Sequence, residues 1–259
     1  MKLANLFENA RRAGRTVFIP YIMAGDPNVE TTVHVMRALE EAGADLIELG
    51  VPYGDPLADG PTIAAAGARA LSNGVAIGDV LRLAGASALP VVVFSYYNPL
   101  LQYGFERFSL EAAAAGVAGV IVPDVALEEG EELQQMLSAH GIEMPLLISP
   151  STPLSRAAKI AGQATGFVYV VSRLGVTGAG TAPDFEPLRR HLAGLRTMTD
   201  KPLAVGFGVG KPEHVRAVAP FADGIIVGSA LIDAYAGLRG KPAAQRVGQL
   251  VRSLVDAAS

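Results

Sequence analysis

Three carboxylates crowd into one short stretch, and they are the residues best equipped for chemistry. Residues 48–62 read Glu-Leu-Gly-Val-Pro-Tyr-Gly-Asp-Pro-Leu-Ala-Asp-Gly-Pro-Thr. Glu48 closes an apolar run, and Asp55 and Asp59 follow in a loop that Pro52, Pro56 and Pro61 stiffen by fixing φ. Val51, Tyr53 and Leu57 are expected to give that loop apolar contacts of its own. Acids held at fixed separation can divide labour, because burial raises the pKa of one until it can deliver a proton while a neighbour stays charged. Side chains alternate along a strand, so Glu48 shares a face with Leu46, and Ile47 and Leu49 share the other. If Ile47 and Leu49 pack against helices, Glu48 points into the interior. A strand-end glutamate can also be solvated or paired with an arginine, but residues 45–62 contain no basic residue.

A second group of residues is suited to holding an anion. Gly175-Val176-Thr177-Gly178-Ala179-Gly180, Gly206-Phe207-Gly208-Val209-Gly210 and Gly228-Ser229 each follow an apolar run. Glycines let backbone N–H groups approach a phosphate closely, and a helix N-terminus adds a favourable dipole. Any one segment could be an ordinary tight turn, and Ser229 could simply cap a helix. Three in one half of the chain point to phosphate. None fits a dinucleotide fingerprint or a P-loop. His34, His140, His191 and His214 are scattered over helical segments without ligand spacing, so no metal is expected, and each reads as a surface or helix-end residue. No lysine lies in an expected strand, which argues against Schiff-base chemistry; Lys201 precedes a strand instead.

Such groups need a frame, and the chain supplies a repetitive one. Its 259 residues are 50% hydrophobic, enough for a sizeable core. A net charge of −4 gives no sign of nucleic-acid binding, and the absence of cysteine excludes disulfides and thiolate chemistry. No signal peptide or membrane-spanning run is recognisable, so a cytoplasmic location is expected. Apolar runs recur at 17–23, 46–49, 90–95, 119–122, 146–148, 167–171, 203–205 and 224–227. Helix-like segments lie between them, among them 29–42, 110–115, 128–139, 153–162 and 212–219. Alternation of this kind predicts parallel strands buried on both faces. Doubly wound sheets use the same units, but eight runs with no linker favour a single (β/α)8 TIM barrel over 1–259. Residues 1–13 form an extra N-terminal helix in this reading, and 231–258 a last helical region interrupted by Gly237 and Gly240. In such barrels sites lie where strands end and βα loops begin.

Taken together, these residues resemble the tryptophan synthase alpha chain family, over essentially the whole sequence. The stretch 48–62 is similar to that family's signature. Supporting matches are Ala24-Gly25-Asp26-Pro27, Tyr96-Tyr97-Asn98-Pro99, Pro123-Asp124, Ser172-Arg173-Leu174-Gly175-Val176-Thr177-Gly178, Phe207-Gly208 and Gly228-Ser229-Ala230. Tyr53 and Gly54 stand where Phe-Ser is common, Ser149 replaces a frequent Ala, and Gly54 adds loop freedom at up to about 1 kcal/mol of entropy.

The resemblance implies a lyase, cleaving indole-3-glycerol phosphate to indole and glyceraldehyde 3-phosphate in tryptophan biosynthesis, without metal or cofactor in this chain. It implies that Glu48 transfers protons and that Asp59 contacts the indole nitrogen. Tyr21, Tyr96, Tyr169 and Thr177 would contact substrate, and Gly178, Gly208, Gly228 and Ser229 its phosphate. Leu174 through Gly180 would form a lid, with Arg173 an ion-pair or anchoring residue beside it. The partner implied is a pyridoxal-phosphate beta subunit in an α2β2 assembly, with Pro52 and Asp55 facing it. Rivals are a standalone lyase of the same family, another phosphosugar barrel isomerase or epimerase, and a subunit that only activates its partner.

Overall fold

The computed structural model describes residues 2–172, 184–206 and 208–258. In chain order its elements are α1 (Leu3–Arg12), β1 (Val17–Met23), α2 (Val29–Glu41), β2 (Ile47–Gly50), α3 (Pro61–Ser72), α4 (Ile77–Gly85), β3 (Val91–Phe94), α5 (Tyr97–Tyr103), α6 (Phe105–Ala114) and β4 (Gly119–Ile121). They continue with α7 (Glu131–Ala139), β5 (Leu146–Ile148), α8 (Leu154–Gln163), β6 (Val168–Val171), α9 (Glu186–Arg196), β7 (Leu203–Gly206), α10 (Pro212–Val218), β8 (Gly224–Val227), α11 (Ser229–Tyr235) and α12 (Gly240–Ala258).

The strands form because each is a short apolar run rich in β-branched residues, and β1, β2, β3, β7 and β8 are buried at every position. They are hydrogen-bonded in the order β4-β3-β2-β1-β8-β7-β6-β5, all parallel. The two ends of that order meet through Glu143. The Val120 N–H donates to the Glu143 carbonyl at 2.8 Å, and the Glu143 N–H donates to the Ala118 carbonyl at 3.1 Å. These bonds close the sheet into the expected (β/α)8 TIM barrel.

Helix α1 is the extra N-terminal helix and plugs the barrel's N-terminal end. It buries Leu3, Leu6, Phe7 and Ala10, and the Phe7 ring packs on Phe167 with centroids 5.3 Å apart. Gly224 leaves room for that ring, because a Cβ there would lie 2.9 Å from Phe7 Cε1. Lys201 sits at the same end. Its Nζ donates to the carbonyls of Ala161, Gly162 and Ala164 at 2.7, 2.7 and 2.5 Å, satisfying the last turn of α8. With α1 packed against this end, the described cavity lies at the C-terminal end.

Helices α3, α4, α5 and α9 lie outside the helical segments named from the sequence. Pro61, expected only to stiffen the loop, is also the first residue of α3, where its missing N–H costs nothing. The last helical region is two helices, because the chain leaves α11 after Tyr235 and Gly237 and Gly240 adopt positive φ. Among the described residues no helix is long and apolar enough to cross a membrane.

Candidate active site

The open end of the barrel holds a cavity of about 390 Å³, within the range of small-ligand sites. One end is acidic and aromatic. Glu48 reaches it from the end of β2, and the register places Tyr21 of β1 directly beside Glu48. Phe94 of β3 and Tyr169 of β6 complete the wall, and Asp59 approaches from the loop above. The inward direction expected for Glu48 is therefore observed, and Tyr169 faces the same cavity. The Tyr21 and Phe94 rings meet edge to face, with centroids 5.8 Å apart.

The tyrosines dictate two of the strand-end glycines. A Cβ on Gly50 would lie 2.2 Å from the Tyr21 hydroxyl, and one on Gly206 would lie 2.2 Å from that of Tyr169. Gly206, expected to serve the anion, instead makes space for a tyrosine.

Glu48 is 1% exposed, and its Oε2 is buried with no hydrogen-bond partner among the described residues. Burial pushes its carboxyl up to about 8, and the charge of Asp59 adds to the rise. Glu48 is thus protonated at neutral pH. Burial also lifts half-buried Asp59 above the usual carboxylate range, while a hydrogen bond from the Tyr96 hydroxyl acts in the opposite sense. That hydroxyl also accepts the Ala58 N–H at 2.9 Å. Tyr96 lies outside the cavity lining and holds the acid-bearing loop from behind, with Tyr53 stacked on it at 5.3 Å. Of the loop's expected apolar contacts, Val51 and Tyr53 make theirs, but Leu57 is 80% exposed and points away from the protein. Gly54 is exposed and has no positive φ, and a Cβ added to it would meet nothing within 4 Å, so the fold does not demand glycine there.

The other end of the cavity is lined by Gly208, Gly210, Lys211, Gly228 and Ser229, from the loops after β7 and β8. The two loops touch closely: a Cβ on Gly210 would lie 2.9 Å from that of Ala230. Ser229 begins α11, so its first N–H groups have no intrahelical acceptor and face this end. The sequence reading missed Phe94, Ile63, Ile226, Lys211, His214 and Asp233 as lining residues. Phe94 was accessible by parity with Val92, which pairs with Glu48, and Lys211 directly follows a glycine segment already singled out. His214 corrects the expectation of a plain helix-end histidine: it lines the cavity, packs on Phe185 and buries its Nδ1 without a partner among the described residues. Thr177, Gly178, Arg173, Leu174, Phe207 and the lid expected over 174–180 lie outside the described residues. Among the described residues no cluster of three His, Asp or Glu side chains is placed to hold a metal.

A buried carboxylic acid facing an aromatic wall, with a second acid opposite, at the open end of the barrel marks the class as a TIM-barrel enzyme. Comparison with known proteins narrows this. The family described as "Tryptophan synthase alpha chain" matches residues 7–258. The chain is 45% identical to the tryptophan synthase alpha chain of Prochlorococcus marinus, over 99% of this chain and 94% of that one. It is 46% identical to that of Picosynechococcus sp., over 92% and 90%. Among solved structures it resembles Mycobacterium tuberculosis tryptophan synthase (TM-score 0.90, 36% identity, 99% and 97% covered) and the tryptophan synthase subunit alpha of Legionella pneumophila (TM-score 0.90, 34% identity, 100% and 98% covered). The chain belongs to the tryptophan synthase alpha chain family. Its activity is the family's lyase reaction, retro-aldol cleavage of indole-3-glycerol phosphate to indole and glyceraldehyde 3-phosphate in tryptophan biosynthesis.

Proposed function

We propose that Glu48 carries the proton chemistry of this cleavage and that Asp59 stabilises the charge it creates. The bond between ring carbon C3 and the glycerol chain breaks readily only once C3 is protonated. Glu48, held neutral by burial, delivers that proton. Positive charge then spreads to the ring nitrogen, where the Asp59 carboxylate opposes it. The adjacent glycerol hydroxyl loses its proton, the carbon–carbon bond breaks, its electron pair restores the indole ring, and the hydroxyl carbon leaves as the aldehyde. Glu48, ionised by its first step, is the group placed to take the hydroxyl proton. Tyr21, Phe94 and Tyr169 enclose the ring, and Gly208, Gly228 and Ser229 take the phosphate at the opposite end. Thr177 and Gly178 are assigned to the ring and the phosphate by family resemblance. Tyr96 acts through the loop it holds. The observation that carries this reading is the buried Glu48 carboxyl, whose Oε2 has no hydrogen-bond partner among the described residues, sharing one cavity with Asp59.

The same reading makes the chain a single barrel domain, without a cofactor of its own, acting in the cytoplasm with a beta subunit in an α2β2 assembly. Pyridoxal phosphate belongs to that partner, which joins indole to serine. Exposed Leu57 on the acid-bearing loop and half-exposed Leu101 on α5 suit a partner seated on the barrel's open rim. Steady-state indole release with and without a beta subunit tests both parts. Activation of about tenfold or more is expected, and none would favour a standalone lyase. Indole production that survived in Glu48→Gln and Asp59→Asn would overturn the catalytic assignment.

A further inference from the structure

We propose that the Asp26 carboxylate is a positioning residue that holds the acid-bearing end and the glycine end of the cavity to one buried anchor. Asp26 lies between β1 and α2, and its side chain is fully buried, whereas that of Arg69 is 44% exposed. Arg69 grips it bidentately with one edge of its guanidinium: Nε donates to Oδ1 at 2.7 Å and Nη2 to Oδ2 at 2.9 Å. Buried Tyr235 sets its hydroxyl beside the same carboxylate, near enough to interact with it. Both partners come from the helices behind the two ends of the cavity. Arg69 is in α3, which starts at Pro61 just past Asp59, and Tyr235 is the last residue of α11, which starts at Ser229. At 1.5 Å per residue, Arg69 lies about 12 Å along α3 from its first turn and Tyr235 about 9 Å along α11 from its own. Asn73, just after α3, adds a bond from its Nδ2 to the Pro27 carbonyl at 2.7 Å.

None of Asp26, Arg69 and Tyr235 lines the cavity, so all three act through the helices they fasten. A helix is stiff over this length, so a slip at its far end moves its first turn. Tilting α3 displaces Asp59 from the ring, an interaction that strengthens only in the transition state. Tilting α11 displaces Ser229 from the phosphate, an interaction made equally in ground and transition states. The two arms therefore affect different kinetic constants. The inference rests on the assignment of Asp59 and Ser229 to ring and phosphate.

The test is steady-state indole release from indole-3-glycerol phosphate by the full chain, with and without a beta subunit. Tyr235→Phe removes only the α11 arm and is expected to raise KM about three- to tenfold with kcat within about twofold. Arg69→Gln removes the α3 arm and is expected to lower kcat by a similar factor with KM nearly unchanged, and Arg69→Lys to recover part of it. Parallel changes in both constants, or none beyond about twofold in folded variants, would overturn the proposal. If Arg69→Gln does not fold, Tyr235→Phe, which leaves the ion pair intact, decides it alone: an unchanged KM refutes the anchor. Loss of indole release in Asp59→Asn tests the cavity assignment separately, so failure of that assignment is distinguishable from failure of the anchor.

Discussion

Replacing Glu48 by Gln removes a proton-binding site while keeping the shape of the neutral acid, so the pH dependence of stability reports how the fold treats this group. In the folded chain burial holds the proton on Glu48 up to about pH 8, whereas the ordinary value is 4.5. Between those limits the folded state binds more protons than the unfolded state, so Glu48 lowers stability as pH rises. The effect is absent below 4.5 and complete once the folded carboxyl ionises near 8. At about 1.4 kcal/mol per pH unit, wild type loses roughly 5 kcal/mol across the window, and Gln loses none of it. Urea unfolding of both proteins at pH 5 and pH 8.5 should show the variant gaining on wild type by about 4 kcal/mol. Because the Asp59 charge contributes to the rise, Asp59→Asn should move the upper edge of the window below 8. Wild-type kcat/KM should fall as Glu48 ionises above about pH 8. A stability difference that stayed within about 1 kcal/mol between the two pH values would mean that Glu48 ionises normally in the folded chain, and the acid assignment would fail.

Tyr96→Phe deletes the acceptor of the Ala58 N–H and the donor to Asp59, about 1–2 kcal/mol of loop positioning, so kcat/KM should fall about tenfold; unchanged kinetics would show that the loop is held otherwise. Gly206→Ala places a methyl 2.2 Å from the Tyr169 hydroxyl, and the displaced ring should lower kcat/KM by about tenfold or more. A structure of that variant with Tyr169 unmoved would contradict this account. Lys201→Met frees three carbonyls at the end of α8 and should lower Tm by about 3–5 °C with indole release unaffected, measured by calorimetry beside the steady-state assay.

The site was legible in the sequence to the extent that its logic is local. Alternation along β2 put Glu48 on the inward face, and the same parity placed Tyr169. The loop's prolines, and the glycines after β7 and β8, could be read because φ restriction and backbone access belong to single residues. Leu57 is apolar by type, and only the tertiary structure leaves it 80% exposed on the rim. Gly206 was assigned to the anion because the tyrosine that needs its space lies on another strand, far away in sequence. His214 looked like a surface residue because helical periodicity does not reveal that the α10 turn borders the cavity. Tyr96 was expected to touch substrate, and its place behind the loop emerges only from the bond to Ala58.

By itself, then, the sequence determined the eight-strand periodicity, the inward direction of Glu48, the stiffness of the loop carrying Asp59 and the family to which the chain belongs. These follow from rules that act over a few residues, or from patterns that survive as strings of residue types. Only the tertiary structure decided that Glu48 is protonated at neutral pH, because desolvation is a sum over everything packed around a group. It also decided that the loop after β7 meets the start of α11, and that one buried aspartate is gripped by Arg69 of α3 and approached by Tyr235 of α11. Those contacts join residues far apart in the chain, and their geometry exists only once the barrel has closed.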